Sequence, residues 1–332
     1  MKQLRICTIG DFQNWFSYYL MGTIQGSILN GHLHYSIPIR QKSDNIQQQL
    51  NYYKPHIIFG HMLFAEKLTD MMGNDLPREE LHFVIVKAKK KWGCKVIMQE
   101  GDAKSEPRYP YPVNSLVDLC LVNSRRYEHF SKVYQIPCIH WPYFALNQET
   151  LSAGDDKFKH DVIFTGNVSA RKDTHLHKGR NEFIKNLSIA GVNIKIFPDE
   201  EIGNTRFCSA DLAVSCNAVL GIQHGLHVDG YVDTRPFQYC GAGGLYFHSN
   251  CSGINQFFKP DYHYVPYDHM NVGSFIAQYE KYTKDRESGN KIRAQAFAYT
   301  QKHHTAKHRI KMALDALEGK ELQKIYLEDL DV

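Results

Sequence analysis

A glycine-rich stretch in the second half of the chain combines a cation with backbone that a ligand can approach closely. It reads Asp233-Thr234-Arg235-Pro236-Phe237-Gln238-Tyr239-Cys240-Gly241-Ala242-Gly243-Gly244. A short helix opening at Thr234 would present free N–H groups beside Arg235, and this combination suits a diphosphate. The three glycines permit close approach, and Gln238 could bond a ribose hydroxyl. A βα turn without a ligand accounts for the glycines equally well.

A second candidate phosphate site follows an apolar run. The segment Asp161-Val162-Ile163-Phe164-Thr165 reads as a strand and leaves into the turn Gly166-Asn167. Basic residues crowd the approach to the next helix, namely Arg171, Lys172, Lys178 and Arg180. Guanidinium and ammonium groups beside a glycine turn suit phosphate oxygens. The alternative is a solvated, basic start of a helix.

Candidate acid–base groups lie in the first half. Glu100 and Asp102 follow the predicted strand Lys95 to Met98, and either carboxylate could deprotonate a hydroxyl group. The alternative is a loop acid that caps a helix or faces water. His61 follows another predicted strand and could orient a ligand or donate to a phosphate, although a lone histidine is more often structural.

Two weaker signals also lie in the first half. The turn Gly10-Asp11-Phe12 follows the first predicted strand and could contact an acceptor or a phosphate. The run Lys87-Ala88-Lys89-Lys90-Lys91-Trp92 could grip an anionic polymer such as DNA. Lysines at the end of a helix are also what the helix dipole favours.

The histidines, 18 in number, do not form a metal motif. The close pairs are His175 with His177, His224 with His227, and His304 with His308, and none combines with cysteines or acids at zinc-site spacing. We therefore expect no protein-held metal. A Mg²⁺ or Mn²⁺ ion could still accompany a nucleotide diphosphate, since such ions need few protein ligands.

The elements that must position these residues alternate between strands and helices. This order predicts parallel βαβ units, hence an α/β fold with two Rossmann-like domains facing across a cleft, where open sheets bind ligands. The polar stretch from Glu149 to Lys159 reads as a linker. We expect an N-terminal domain over 1–150, a C-terminal domain over 158–300 and a helical segment over 301–332. Strands are predicted at Leu4–Ile9, Leu33–Ile39, His56–Phe59, Lys95–Met98, Asp118–Val122, Pro137–Trp141, Asp161–Thr165, Asn193–Phe197, Leu212–Ser215, Leu245–His248 and His263–Pro266.

Composition limits the function classes. The chain has 332 residues, 43% of them hydrophobic, and a net charge of +4, which is too small to indicate nucleic-acid or membrane binding overall. Eight scattered cysteines without a C-x-x-C pair favour reduced thiols. The apolar run at the N-terminus is too short for a signal peptide, and no window is apolar enough to span a bilayer. These features predict a cytoplasmic protein.

Four ordered blocks resemble the C-terminal half of CgeB-like glycosyltransferases, over about residues 117 to 315. They are Asp161-Val-Ile-Phe-Thr-Gly-Asn, Arg180-x-x-Phe-Ile-x-x-Leu, Thr234-Arg-Pro-Phe-Gln-Tyr-Cys-Gly-Ala-Gly-Gly, and His304-Thr305 with Arg309. The resemblance implies a GT-B fold with a nucleotide sugar held mainly by the second domain. The donor-binding residues would then be Gly166, Asn167, Arg171, Lys178, Arg180, Thr234, Arg235, Phe237, Gln238, Gly241, Gly243 and Gly244.

The chain is also similar, more weakly, to the β-glucosyltransferase that T-even phages use on hydroxymethylcytosine in DNA. This similarity matches Arg235 to an arginine that contacts the diphosphate and Asp102 to a general base, with Glu100 and His61 as further catalytic candidates. Gln238 falls where these enzymes place a ribose-binding glutamate, and an amide bonds a ribose hydroxyl less strongly than a carboxylate does.

The resulting expectation is a hexosyltransferase that uses UDP-glucose or a similar donor and a hydroxyl acceptor. Three alternatives stay open. The acceptor could be a hydroxymethylated DNA base, as the phage similarity implies. The chain could bind a nucleotide sugar without catalysis, as Gln238 in place of an acid suggests. A nucleotide-sugar epimerase shares the two-domain design, although no acid pair is recognisable in the second domain.

Overall fold

A computed structural model describes residues 2–10, 16–39, 41–60, 78–100, 106–107, 112–148, 159–166, 179–197, 209–223 and 228–330. The chain forms two compact units. The first comprises Met1–Pro142 with Ala306–Leu322, and the second comprises Tyr143–Thr305 with Gln323–Val332. The segment 301–332, expected as a separate helical piece, is thus divided between the two units.

The first unit is built on a parallel sheet of six strands in the order β2-β1-β3-β4-β5-β6. Its strands are β1 (Arg5–Gly10), β2 (Leu33–Pro38), β3 (Ile57–Gly60), β4 (Lys95–Glu100), β5 (Leu119–Val122) and β6 (Cys138–His140). Its helices are α1 (Phe16–Leu29), α2 (Ser43–Tyr53), α3 (Arg78–Trp92), α4 (Tyr127–Tyr134) and α11 (Ala306–Leu317).

Apolar runs and helix ends in the sequence explain these elements. The inner strands are continuously apolar, as expected for a sheet covered on both faces. Helix α2 buries Ile46 and Leu50, which are one turn apart, and turns its amide side chains outward. Helix α3 carries acids in its first turn and lysines in its last, an arrangement that the helix dipole stabilises.

Helix α11 belongs to the first unit because it packs closely against α1. A Cβ atom on Gly26 of α1 would lie 2.6 Å from both the Ala306 carbonyl oxygen and Ile310 Cγ1 of α11. Arg309 of α11 is fully buried, and its Nε donates to the Pro142 carbonyl oxygen at 3.0 Å. The indole of Trp141 in turn donates to the Arg309 carbonyl oxygen. Arg309 therefore has a structural role.

The second unit is built on a parallel sheet of five strands in the order β11-β10-β9-β7-β8. Its strands are β7 (Val162–Thr165), β8 (Ile194–Phe197), β9 (Ala218–Gly221), β10 (Tyr246–Ser249) and β11 (Val265–Tyr267). Its helices are α5 (Arg180–Ile189), α6 (Ser209–Ser215), α7 (Arg235–Gly241), α8 (Ser252–Asn255), α9 (Val272–Lys284) and α10 (Arg286–His303).

One predicted strand is wrong. Leu212–Ser215 lies in α6, and the strand of this region is β9, three residues further along the chain. Two short apolar runs follow each other here, separated by Cys216 and Asn217. Short apolar runs do not distinguish a strand from a buried helix, because both bury every apolar side chain.

Each sheet has a point at which the strand order reverses. In the second sheet this point lies between β7 and β9, and in the first between β1 and β3. Ligands of open α/β sheets bind outside the carboxyl ends of the strands at such a point. In the second unit these ends are Thr165 with Gly166, and Gly221 with Ile222.

Two further observations concern the described residues. Their seven cysteines are all free thiols, and six of them are buried. None of the described helices has the length and apolar character needed to cross a membrane.

Candidate functional site: a buried arginine pair in the second unit

The turn after β7 places the backbone of Gly166 close to the guanidinium group of Arg180. Gly166 has a φ of +146°, which favours glycine, and its N–H donates to the Phe197 carbonyl oxygen at 2.9 Å. A Cβ atom here would lie 3.1 Å from the Phe164 ring and 3.7 Å from Arg180 Nη1. A side chain at this position would therefore occupy the space beside the guanidinium.

Arg180 is the first residue of α5 and is only 2% exposed. Its Cζ lies 5.5 Å from the centre of the Phe164 ring, and its Nη2 is 3.5 Å from the Ile222 carbonyl oxygen at the end of β9. Burial, followed by repulsion from Arg235, lowers the pKa of Arg180 to about 10. Both effects disfavour the cation, and a bound anion would offset them.

Arg235 approaches the same phenyl ring from α7. Its Cζ is also 5.5 Å from the Phe164 ring centre, and its Nη2 lies 2.8 Å from a carboxylate oxygen of Asp233. The other oxygen of Asp233 accepts from the Arg235 backbone N–H at 3.0 Å. Burial is the largest single effect on the pKa of Arg235 and lowers it, but the Asp233 carboxylate and the nearby tyrosines together raise this pKa above its ordinary value. The pair fixes a permanent cation at this edge.

Counted over the described residues, this cluster holds two guanidinium groups and one carboxylate. All three side chains are at least nine-tenths buried. The surplus positive charge lies where few water molecules can solvate it, which makes the cluster attractive to an anion. Nη1 of Arg235 has no hydrogen-bond partner among the described atoms and is available to one.

Polar groups continue along the carboxyl ends of β9 and β10. Gln223 donates to the Tyr231 carbonyl oxygen at 3.2 Å and leaves its Oε1 without a partner within the described structure. His248 bonds the Ser249 carbonyl oxygen through Nδ1 at 2.7 Å. Burial lowers the pKa of His248 to about 4, so the ring is neutral at physiological pH.

A hydroxyl pair ties α7 to β7. The hydroxyl of Tyr239 is 2.7 Å from Thr165 Oγ1, and both groups are buried. Burial raises the pKa of Tyr239, which keeps the phenol protonated. The bond holds the helix that carries Arg235 against strand β7, which ends at Thr165 just before Gly166.

The glycines of the α7 motif lie at the opposite edge of the sheet from Arg235. Helix α7 begins near the carboxyl ends of the strands and ends where β10 begins, because a helix between two parallel strands runs against them. A Cβ atom on Gly241 would lie 2.3 Å from Ala145 Cβ, and one on Gly244 would lie 3.1 Å from Ala213 Cβ. Gly243 has a φ of +83° in the turn. Gly241 and Gly244 therefore pack against neighbouring residues, and Gly243 lies in the chain reversal. That these glycines bind the donor stays a prediction.

Phe237, which the motif predicts as a donor-binding residue, lies in the core of the second unit. Its side chain is fully buried, with ring centres of Phe257, Phe258 and His304 at 5.6, 5.2 and 5.4 Å. It belongs to the core and has no surface to offer a donor. Thr234 and Gln238 are half-buried at the start of α7, where the Thr234 carbonyl oxygen accepts from the Gln238 N–H.

Other candidate residues fall outside the described part of the chain. They are Asp11, Phe12, His61, Asp102, Asn167, Arg171 and Lys178, together with His175, His177, His224 and His227. Of the first-half candidates that are described, Gly10 is buried at the end of β1. Glu100 is 4% exposed at the end of β4 and accepts a hydrogen bond from the Tyr134 hydroxyl.

Two lysines of the basic run in α3 contact other residues of the first unit. Lys89 lies 2.9 Å from an Asp118 carboxylate oxygen and has a mostly buried side chain. Lys91 donates to Asn51 Oδ1 at 3.3 Å and lies over the Trp92 ring. These contacts reduce the number of lysines that could grip a nucleic acid.

The C-terminal histidine of the resemblance is structural. His304 is fully buried, its Nε2 lies 3.1 Å from the Tyr299 hydroxyl, and its carbonyl oxygen accepts from the Ala145 N–H. Within the residues that the structure describes, no group of three or more histidine, cysteine, aspartate or glutamate side chains is placed to hold a metal ion.

Three parts of this site are not predicted from the sequence. These are the roles of Asp233 and Gln223 and the hydrogen bond between Tyr239 and Thr165. An aspartate two residues before the first residue of a helix is a signal for the turn that Asp233 makes with the Arg235 N–H. Nothing in the sequence indicates that the same carboxylate pairs with the arginine side chain.

Comparison with known proteins finds one family model that matches part of the chain. Residues 186–315 match the family model described as glycosyl transferase-like, and this segment includes Arg235 but not Arg180. No curated protein sequence shows a significant match to the chain.

Solved structures share the fold over nearly the whole chain. A glycosyltransferase from Rickettsia africae is 11% identical, with a TM-score of 0.59 over 96% of this chain and 99% of its own. HepE from Anabaena, in complex with UDP-glucose, is 9% identical, with a TM-score of 0.59 over 96% of this chain and 100% of its own. Sucrose-phosphate synthase from Thermosynechococcus elongatus is 7% identical, with a TM-score of 0.58 over 96% and 100%. At such identities the similarity establishes the fold, and it confirms the predicted pair of Rossmann-like domains of GT-B type.

Proposed function

We propose that the protein is a glycosyltransferase that transfers a hexose from a nucleotide diphosphate sugar, UDP-glucose or a similar donor, to a hydroxyl acceptor. The observation that carries the proposal is the pair of buried arginines, Arg180 and Arg235, beside Gly166 at the reversal point of the second sheet. The glycosyl transferase-like match over 186–315, the resemblance to CgeB-like enzymes and the fold shared with a UDP-glucose complex support it.

In this proposal the arginines act on the leaving group. As the bond between the sugar and the diphosphate breaks, negative charge develops on the diphosphate oxygens. Arg235 and Arg180 would stabilise that charge from fixed positions in a site with little water, where such interactions are strongest. Backbone N–H groups near Gly166, and the side chains of Asn167, Arg171 and Lys178, would complete the cradle.

The acceptor chemistry is assigned to the first unit. Asp102 would deprotonate the acceptor hydroxyl if the transfer inverts the anomeric centre. If the transfer retains it, Asp102 would position the acceptor instead. We give Glu100 a supporting role because its carboxylate is buried and bonded to Tyr134. His61 would orient the sugar or donate to a phosphate.

Described residues at the donor site suit direct neutralisation of a diphosphate better than a protein-held metal. They offer two cations, and the single carboxylate is already paired with Arg235. A Mg²⁺ or Mn²⁺ ion, if it takes part, would therefore arrive bound to the nucleotide, where it would neutralise diphosphate charge.

The test is UDP-glucose hydrolysis and transfer measured for Arg235→Ala and Asp102→Asn. We expect kcat/KM to fall by about 100-fold or more in Arg235→Ala, the typical cost of removing one fixed charge-stabilising donor. The matched control is Arg293→Ala, which removes an arginine bonded to the Cys216 carbonyl oxygen in the same unit. Unchanged turnover in both test variants would refute the assignment.

A non-catalytic nucleotide-sugar-binding protein is the second candidate, and Gln238 is the observation that favours it. An amide replaces the glutamate that the phage-type resemblance expects, so the donor's ribose would be held less strongly. Donor binding that depends on Arg235, without hydrolysis or transfer to any acceptor, would support this candidate over the enzyme.

A further inference from the structure

A second site of different chemistry lies on the first unit, along helix α2. A groove of about 350 Å³ is lined by six residues, which we call the α2 groove: Gln41, Asn45, Gln48, Gln49, Tyr52 and Tyr53. Nothing in the proposed donor chemistry uses these residues. The volume lies within the range of small-molecule sites in proteins.

The groove follows one face of a helix that is held firmly. Asn45, Gln48, Gln49 and Tyr52 recur at the spacing of a single helical face, whereas Ile46 on the other face is buried in the core. Three contacts hold the helix to its neighbours: Ser43 Oγ donates to Glu80 at 2.7 Å, Lys91 donates to Asn51 at 3.3 Å, and Arg5 Nε donates to the Tyr53 and Lys54 carbonyl oxygens. The groove is therefore preformed.

Its lining is neutral and rich in hydrogen-bonding groups. No charged side chain is among the lining residues that the structure describes. Each amide side chain offers two donor hydrogens and one acceptor oxygen. Gln49 Nε2 donates to Gln41 Oε1 at 3.1 Å, and Gln41 Nε2 has no partner among the described atoms. Such a surface matches a ligand with many hydroxyls and no charge, since none of the lining residues offers a charge to a phosphate or a carboxylate.

The tyrosines supply an aromatic surface beside the amides. Tyr52 is 81% exposed, so most of its ring surface faces solvent. Tyr53 stacks on Tyr35 of the edge strand β2, with ring centres 4.1 Å apart and an angle of 24° between the planes. The Tyr52 ring stands edge-on to Tyr53 at 5.2 Å. The stack braces Tyr53, and the Tyr52 ring remains open to a ligand.

We propose that the α2 groove binds a neutral oligosaccharide. A pyranose ring presents a face of C–H groups that packs on an aromatic ring and a rim of hydroxyls that bonds amides, and the groove offers both. The phosphate groups of a nucleic acid would meet no cationic side chain among the lining residues. The proposal stands without the donor site, and only the further step, that the bound oligosaccharide is the acceptor, rests on the proposed function.

The experiment is calorimetric titration of the full chain with neutral oligosaccharides of glucose, galactose, mannose and N-acetylglucosamine. We expect millimolar or tighter binding of at least one of them, weakened about tenfold in Tyr52→Ala and about fivefold in Gln48→Leu. Phe83→Ala is the matched control, because Phe83 is a 66% exposed aromatic residue on α3 of the same unit and lies outside the groove. The oligosaccharide affinity of Phe83→Ala should equal that of the wild type.

Three outcomes would overturn the proposal: no oligosaccharide binds, binding is unchanged in Tyr52→Ala and Gln48→Leu, or Phe83→Ala weakens it equally. A parallel titration with duplex DNA separates the rival occupant, since DNA binding that is lost in Tyr52→Ala would also overturn it. Arg235→Ala distinguishes the two sites. This variant should weaken UDP-glucose binding and leave oligosaccharide affinity unchanged, so either proposal can fail alone.

Discussion

The two ends of helix α7 lie only six positions apart in the sequence and differ in charge and in packing. At its start, Arg235 and Asp233 form a buried ion pair beside Arg180, at the carboxyl edge of the sheet. At its end, Gly241 packs against Ala145 and Thr300 at the amino edge. The first end holds three charged side chains. At the other end glycine has no side chain, so neighbouring elements can pack closely against the backbone. A single glycine-rich motif therefore contains a candidate ligand site and a packing device.

The largest expected effect concerns the charged end. Arg180→Met removes a cation whose pKa is lowered by burial and by the neighbouring Arg235. We expect kcat/KM for the sugar donor to fall about 100-fold, while the free energy of unfolding stays equal or rises. Steady-state kinetics and urea unfolding measure the two quantities. Arg180→Lys, which keeps a charge, should lose less activity; equal activity in wild type and Arg180→Met would remove Arg180 from the site.

The packing end should show the reverse pattern. In Gly241→Ala the new Cβ would lie 2.3 Å from Ala145 Cβ and 3.0 Å from Thr300 Cγ2. We expect a loss of about 2 kcal/mol in unfolding free energy, typical of overpacking, with the KM for the donor unchanged in the folded fraction. A raised KM at unchanged stability would place Gly241 at the ligand instead.

Acid should destabilise the second unit through His248. Its folded pKa of about 4 lies below the unfolded value near 6.5, so the unfolded chain binds more protons between these values and stability falls as the pH falls through this window. The loss from this one group should be about 2 kcal/mol between pH 7 and pH 5. Urea unfolding at both pH values measures it. His248→Gln should show a smaller pH dependence, and an equal one would contradict the assignment.

The smallest effect is expected in the turn after α7. Gly243 has a φ of +83°, and a Cβ atom there would meet no other atom within 4 Å. Gly243→Ala should therefore cost only about 1 kcal/mol of backbone strain, less than Gly241→Ala. Thermal unfolding of the two variants side by side checks the order. A larger loss for Gly243→Ala would show that conformation outweighs packing at this edge.

Much of the fold follows from the sequence. Alternating apolar runs and helices predicted both parallel sheets, and the strand that ends at Thr165 with its glycine turn was located within one residue. The site was harder to predict, because function depends on which sheet edge a residue reaches. Arg235 and Gly243 are eight positions apart, and only the direction of α7 separates them. The side chains of Asp233 and Arg180 meet that of Arg235 only in the packed fold, and no local sequence pattern predicts this contact.

We infer that the arginine pair at the carboxyl edge of the second sheet holds a diphosphate. A crystal structure of the protein with UDP-glucose would test this inference. We expect diphosphate oxygens within hydrogen-bond distance of the Arg235 and Arg180 guanidinium groups, beside Gly166. A diphosphate bound at the Gly241 to Gly244 turn, or in contact with neither arginine, would contradict it.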